Sequence, residues 1–366
     1  MDTARVDPAS ARRHLEVLGA SPRPAGGEAE ARARAYCSEV LRGAGYAVAE
    51  EVFAYSQLPG RAATPAFGFL AAILFAAVGH LGWRGDAGLA LGLLIVGLVG
   101  AAVAAWWLTR FGILSLPWMR SRSTNLVAMR GNPSVWLVAH LDSKSQPVPI
   151  VVRAVGVMGV LLSLGAALAL ATVQLGGYDV RAAWPWITGA GVLASIPVAA
   201  SLVRSRSPGA IDDASGVSTV LLVAQSLPQQ LAAGVVLTSA EELGLAGARA
   251  WVKGRGVAHA VNVDGVDDEG DVRLTWTRQR PSALIAQLTA RADEIGVRVR
   301  DGRLLPGALL DGVAFADAGW QVVTVSRGTL RTVARVHTPR DSLEHVRGEG
   351  VAIAASVILA AITVGA

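Results

Sequence analysis

Hydrophobic residues along this chain gather into four long, nearly uncharged stretches, at 66–83, 87–108, 154–175 and 183–203. Each is about 18 to 22 residues long, enough at 1.5 Å per residue to cross a hydrocarbon core of about 30 Å. They fall into two tight pairs, which favours two membrane hairpins over buried helices of one large core. The pattern predicts a first hairpin over 65–110 and a second over 148–203. A further apolar run, 111–119, is too short to span and is expected at the interface or beneath the folded part.

Outside the hairpins the periodicity is that of a globular domain. Residues 11–18 read as a short amphipathic helix, followed by the turn Ser21-Pro22-Arg23-Pro24 with Gly26-Gly27. Residues 28–42 keep Tyr36, Val40 and Leu41 at helical spacing, and Gly43 and Gly45 stop the helix. Residues 46–55 alternate as a strand. Two more strands, 125–129 and 135–139, flank the turn Gly131-Asn132-Pro133. After the second hairpin come a helix at 214–227, a strand at 234–238, a helix at 244–251 and a strand at 258–263 that ends at Asp264. The apolar tail 350–366 reads as the buried last helix of the domain. Strands alternating with helices predict an α/β fold, with a mixed, largely parallel sheet covered by helices on both faces. Segments 1–64, 111–147 and 204–366 would form that domain, with the hairpins inserted between them.

Composition agrees with this division. The chain has 366 residues, 52% hydrophobic and 17% charged, against about 25% charged in ordinary soluble domains. Removing both hairpins leaves about 264 residues, a comfortable size for one α/β core. The first 60 residues are polar and helix-forming, so no cleavable leader is expected. The single cysteine, Cys37, excludes a disulfide framework and a thiolate zinc site. The net charge of +5 comes with no basic stripe interleaved with aromatics, which argues against nucleic acid. The basic residues collect beside the apolar stretches instead. Arg61, Arg110, Arg120, Arg122, Lys144, Arg153, Arg204 and Arg206 lie on the side of the domain, and only Arg84 and Arg181 in the opposite loops. The positive-inside rule then places the domain on the cytoplasmic side of a bacterial-type cell membrane, against anionic lipid. No Asp, Glu or Lys interrupts the four stretches, which argues for anchors rather than an ion path.

Five separated groups carry candidate chemistry: His140-Leu141-Asp142, Asp212-Asp213, Glu241-Glu242, Asp264 and His337. Each stands where a strand or turn would end, and ligands in open α/β sheets collect at the carboxyl ends of strands. A two-zinc hydrolase needs two His nitrogens, terminal carboxylates, one bridging carboxylate and a spare carboxylate as base. The chain holds that inventory. Taken singly the elements are weak, since paired glutamates usually mark a solvated helix face and a lone His is usually an ordinary half-buried residue.

Their order and setting carry more. The strings Leu137-Val-Ala-His140-Leu-Asp142-Ser143, Pro208-Gly-Ala-Ile-Asp212-Asp213-Ala-Ser-Gly216 and Ser239-Ala-Glu241-Glu242-Leu-Gly-Leu-Ala-Gly247 resemble the M28 family of zinc aminopeptidases. So do Asn262-Val-Asp264-Gly265 and His337-Thr-Pro-Arg-Asp341. The resemblance implies two Zn²⁺ ions, with His140 and Asp264 on one, Glu242 and His337 on the other, and Asp212 bridging. It leaves Glu241 as general base, with Asp142 accepting the His140 ring N–H. Asp213 and Asp341 would hold turns. The substrate implied is the N-terminus of a peptide or polypeptide. Leu310-Asp311-Gly312 and Gly319-Trp320-Gln321 depart from the family's usual residues and put substrate preference, rather than catalysis, in doubt. Two alternatives remain: a glutaminyl-cyclase-like acyltransferase on the same fold, and a catalytically silent binding or assembly protein.

Overall fold

The computed structural model describes residues 6–305 and 307–364. Eight strands form one sheet: β1 (Ala47–Ser56), β2 (Arg120–Arg130), β3 (Val135–His140), β4 (Ala233–Thr238), β5 (His259–Val266), β6 (Asp271–Trp276), β7 (Val299–Arg303) and β8 (Gln321–Gly328). Their spatial order is β1-β2-β4-β3-β5-β8-β6-β7. The centre, β4-β3-β5-β8, is parallel, while β2 on β4 and β6 on β8 are antiparallel. In chain order the helices are α1 (Pro8–Leu18), α2 (Glu28–Gly43), α3 (Leu58–Arg84), α4 (Ala87–Trp107), α5 (Ile113–Ser115), α6 (Ile150–Leu175) and α7 (Trp184–Ala199). They continue as α8 (Gly216–Ser226), α9 (Ala246–Val252), α10 (Ser282–Glu294), α11 (Asp311–Asp317), α12 (Leu330–Arg335) and α13 (Glu349–Val364).

The chain divides into two compact units. One holds the residues up to Tyr55, Arg120–Ser145 and everything from Ser205 onward; the other holds Ser56–Met119 and Gln146–Arg204. The first is the α/β unit expected from the alternating pattern. Strand alternation sends Leu126, Ala128, Leu137, Ala139, Val235 and Leu237 to one face, where they pack with Leu15, Leu41, Val220 and Ile358. Val127, Trp136, Val138 and Val236 point the other way, onto Trp251 and Phe315. Period-two side-chain direction thus buries both faces of the central strands. The expected tail helix is present as α13, with Val351, Ala354, Ala355 and Ile358 fully buried; Gly365 and Ala366 lie outside the described residues.

The second unit is helical. Helices α3, α4 with its continuation to Ser115, α6, and the segment Arg181–Ala199 containing α7 are each long and apolar enough to cross a membrane. The unit is wider than the two apolar segments read from hydropathy. Helix α3 begins at Leu58, with a proline in its first turn where the missing N–H costs nothing. Residues 111–119 do not form a separate element: a π-helical turn at Leu108–Gly112 carries α4 on into α5. Glycines bring α3 and α7 close together. A Cβ built at Gly79 would lie 1.8 Å from Thr188 Oγ1, and one at Gly82 would lie 2.0 Å from the Trp184 ring. Large apolar side chains such as Phe69, Leu70, Leu89, Val96, Val155, Leu162 and Leu193 are exposed on the outside.

Candidate metal centre

The carboxyl ends of β3, β4 and β5 bring the expected residues together, and tertiary hydrogen bonds aim each one. His140 is the last residue of β3. Its Nδ1 lies 3.0 Å from the main-chain oxygen of Asp142; a carbonyl only accepts, so Nδ1 carries a proton, and in the neutral ring Nε2 presents the lone pair. That Nε2 stands 3.0 Å from Asp212 Oδ1, without the alignment of a hydrogen bond. The sequence expectation gave the ring N–H to the Asp142 carboxylate, which is 3.8 Å away. The carboxylate is engaged elsewhere, accepting the main-chain N–H groups of Glu241 at 3.0 Å and Glu242 at 3.2 Å. Asp142 therefore positions the glutamate turn with its side chain and the histidine with its backbone.

That turn follows β4. Ala240, Gly244 and Leu245 are all left-handed, with φ of 56°, 103° and 62°, so the chain coils tightly and α9 starts at Ala246 rather than at Gly244. Non-glycine residues in this region cost about 1 kcal/mol or more each. Asn125 ties the turn down from β2, accepting from Ser239 N at 3.0 Å and donating to Gly247 O at 2.9 Å. Gly247 is required by close approach, since a Cβ there would sit 2.4 Å from Asn125 Oδ1. Glu30 of α2 accepts from Gly26 N at 2.6 Å and from the hydroxyl of Ser239.

Asp264 does not end its strand. The register of β5 on β8 shifts between Val263 and Val266, and this irregularity re-aims the side chain as a β-bulge does. Asp212 and Asp213 lie in a wide helical turn, Ala210–Ser215, where both leave helical φ/ψ, so α8 starts at Gly216 rather than at 214. Their peptide bond is cis. Asp213 accepts the N–H groups of His140, Gly216 and Gly265 at 3.2, 3.0 and 3.2 Å. Asp341 accepts those of Ile211 at 2.6 Å and Asp212 at 3.2 Å. Arg23, buried, donates to the main-chain oxygens of Leu141, Pro208 and Gly209 at 2.7, 2.7 and 3.0 Å, joining the His140 and Asp212 loops. His337 follows α12 with φ of 62°.

Two donor groups result, both containing Asp212. His140, Asp212 and Asp264 form one; Asp212, Glu242 and His337 form the other, with the donor atoms of each within 4.8 Å of one another. His337 Nε2 lies 3.0 Å from Asp212 Oδ2 and 3.1 Å from Glu242 Oε2. With the His140 ring neutral, its lone-pair nitrogen and the Asp212 oxygen 3.0 Å away repel unless a metal cation or a proton lies between them. Imidazole and carboxylate donors at this spacing suit zinc. Glu241 belongs to neither group, with Oε2 4.0 Å from His140 Nε2.

The electrostatics follow from burial and charge crowding. Burial, then neighbouring Glu242, Asp264 and Asp311, pushes Glu241 well above the usual carboxylate range. Burial lifts Asp264 to about 7, Asp142 to about 8 and Asp311 to about 6. Asp212 is held ionised in spite of burial because both histidines face it. His140 and His337 rise in spite of burial, each beside glutamate and aspartate. Such a cluster draws positive charge.

Two participants escaped the sequence. Lys144 read as a membrane-flanking charge, yet its Nζ lies 2.6 Å from Glu242 Oε2; its only signal was a place two residues after Asp142. Asp311 read as a pocket residue, but it is fully buried at the start of α11 and accepts from the Thr238 hydroxyl.

Comparison with known proteins agrees with this picture. Peptidase family M28 matches residues 193–362, less than half the chain but spanning Asp212, Glu241, Glu242, Asp264 and His337. No curated protein matches the sequence. Among solved structures, an aminopeptidase from Aneurinibacillus sp. strain AM-1 aligns with a TM-score of 0.59 and 14% identity, covering 98% of this chain and 94% of that one. A zinc aminopeptidase from Bacillus subtilis aligns with 0.59 and 15%, covering 100% and 96%. A glutaminyl cyclase from Fimbriiglobus ruber aligns with 0.58 and 15%, covering 100% and 97%. At these identities the structures share the fold. The family match and the donor groups together support a metallopeptidase-like hydrolase.

Proposed function

We propose that the protein is a membrane-anchored, two-zinc aminopeptidase. The observation that carries this reading is the pair of donor groups sharing Asp212, with one further glutamate, Glu241, beside both and in neither. His140 and Asp264 would hold one ion, Glu242 and His337 the other, and Asp212 would bridge. Zinc bound there supplies a Lewis acid for the scissile carbonyl and makes an attacking water acidic enough to lose a proton near neutral pH.

The chain's own groups do the rest. Glu241 takes the proton of the attacking water and delivers it to the leaving amine, and burial suits it by raising its proton affinity. Asp142 fixes where Glu241 points by holding its main-chain N–H, and Asp213 fixes His140 in the same way. The two apolar segments would be membrane hairpins inserted into the peptidase domain. Their lengths, and apolar side chains exposed along their outer faces, support this. The arginine distribution favours a cytoplasmic domain.

The test is hydrolysis of a panel of aminoacyl chromogens by the detergent-purified chain, before and after chelation and zinc return, for wild type and Glu241→Gln. Zinc-dependent release that falls about 10²- to 10⁴-fold in the variant is expected. Zinc-dependent cyclisation of N-terminal glutamine without chromogen release would instead favour the cyclase reading, which the Fimbriiglobus ruber structure motivates.

A further inference from the structure

Lys144 brings a fixed positive charge onto one half of the candidate metal centre and leaves the other half without one. Its main-chain N–H donates to Glu242 Oε1 at 3.2 Å, its Nζ lies 2.6 Å from Glu242 Oε2, and the same Nζ donates to the Glu242 main-chain oxygen at 3.3 Å. Glu242 Oε2 is also the atom 3.1 Å from His337 Nε2. The ammonium therefore sits on the oxygen that a metal held by Asp212, Glu242 and His337 would need. Among the described residues, no lysine or arginine is ion-paired with Asp212 or Asp264, so the His140 half has no ammonium in contact, and Lys144 reaches it only at longer range through the shared Asp212.

We infer that Lys144 is a built-in rival of the second metal, making the two halves unequal. The His140–Asp212–Asp264 half fills first, and the Asp212–Glu242–His337 half fills only at higher free zinc. This rests on the two-zinc reading. The cause is electrostatic. An ammonium in contact with a carboxylate oxygen neutralises part of its charge, and a divalent ion arriving at that oxygen must repel or displace the ammonium. At so largely buried a site, salt screens that repulsion only weakly. Lysine suits the role because its charge is compact and its four-carbon stem can swing aside. The side chain keeps 18% of its surface exposed, a way out toward water. Occupancy of the second half, and with it full activity, then follows the free zinc level.

The experiment is zinc binding to the full chain in detergent at buffered free zinc, with bound metal counted per chain. Wild type should load in two separated steps. Lys144→Met and Lys144→Gln, which both remove the charge, should tighten the second step by about tenfold or more and the first by less, because Lys144 contacts Glu242 but not His140 or Asp264. Retention of that first step also shows that the variants are folded. Wild-type spacing in both variants would overturn the inference while leaving the two-zinc reading intact. Tightening in Lys144→Met alone would overturn the charge argument in favour of an apolar one. A wild-type chain that binds no zinc would sink the two-zinc reading and the inference together.

Discussion

Asp341 accepts the main-chain N–H of Asp212 at 3.2 Å, and through that bond the segment after His337 holds the carboxylate shared by both donor groups. The same side chain accepts Ile211 N at 2.6 Å, so both oxygens of a buried aspartate are used on backbone. The candidate centre is held largely by aspartates of this kind. Asp142 clamps Glu241 and Glu242, Asp213 clamps His140, Gly216 and Gly265, and Asp341 clamps Ile211 and Asp212.

Asp341→Ala is expected to strand two buried amides, at about 1–3 kcal/mol each, and so to destabilise the α/β unit by about 2–6 kcal/mol. Asp341→Asn keeps one oxygen and should lose about half as much. Denaturant midpoints in detergent measure this, and equal stability of all three proteins would show that the clamp holds nothing.

Stability without metal should fall as pH rises from about 5 to 8. Burial gives Asp311, Asp264 and Asp142 folded values of about 6, 7 and 8 from an ordinary 3.8. The folded chain therefore holds protons that the unfolded chain has released, and that advantage is lost as pH climbs through those values. His140 and His337, raised from 6.5, contribute in the same direction. Asp212 and Glu242 are lowered, so their contribution is lost only as pH falls through the acid range. Zinc binding releases these protons, so zinc should stabilise more at pH 8 than at pH 5. Unfolding of chelated and zinc-loaded protein at both pH values tests this; a chelated form more stable at pH 8 contradicts it.

Five of the eight strands, β1 to β5, and the five chemical groups were legible because periodicity and residue type are local properties; β6, β7 and β8 were not read from the sequence, nor was the order of strands in the sheet. Trp136 and Leu137 alternate between the two faces as adjacent strand positions must. The partners of the polar groups were not legible. Asp142 follows His140 by two residues, which suggests a ring contact, but its carboxylate goes to amides about a hundred residues away, and Glu242 draws Lys144 inward from an apparently solvated position. The bulge at Asp264 was hidden for the same reason, since it depends on hydrogen bonds from Gly265 and Val266 to Asp213 and Ser215.

Small residues should be decisive on one side of α3 and α4 and irrelevant on the other. Gly79→Leu places a side chain where a Cβ already meets Thr188 Oγ1 at 1.8 Å, whereas a Cβ at Gly92 meets nothing within 4 Å. Gly79→Leu is expected to cost about 3 kcal/mol or more, because overpacking must separate α3 from α7. Gly92→Leu should change the detergent-solubilised melting temperature little. Equal effects would mean that α3 and α7 do not pack through glycine.

The most direct measurement is zinc per chain at saturating free zinc for wild type, His140→Ala and His337→Ala. Two ions in wild type and one in each variant are expected, because each histidine serves one half while Asp212 serves both. A wild-type chain holding a single ion, or a histidine variant that still holds two, would contradict the two-metal account.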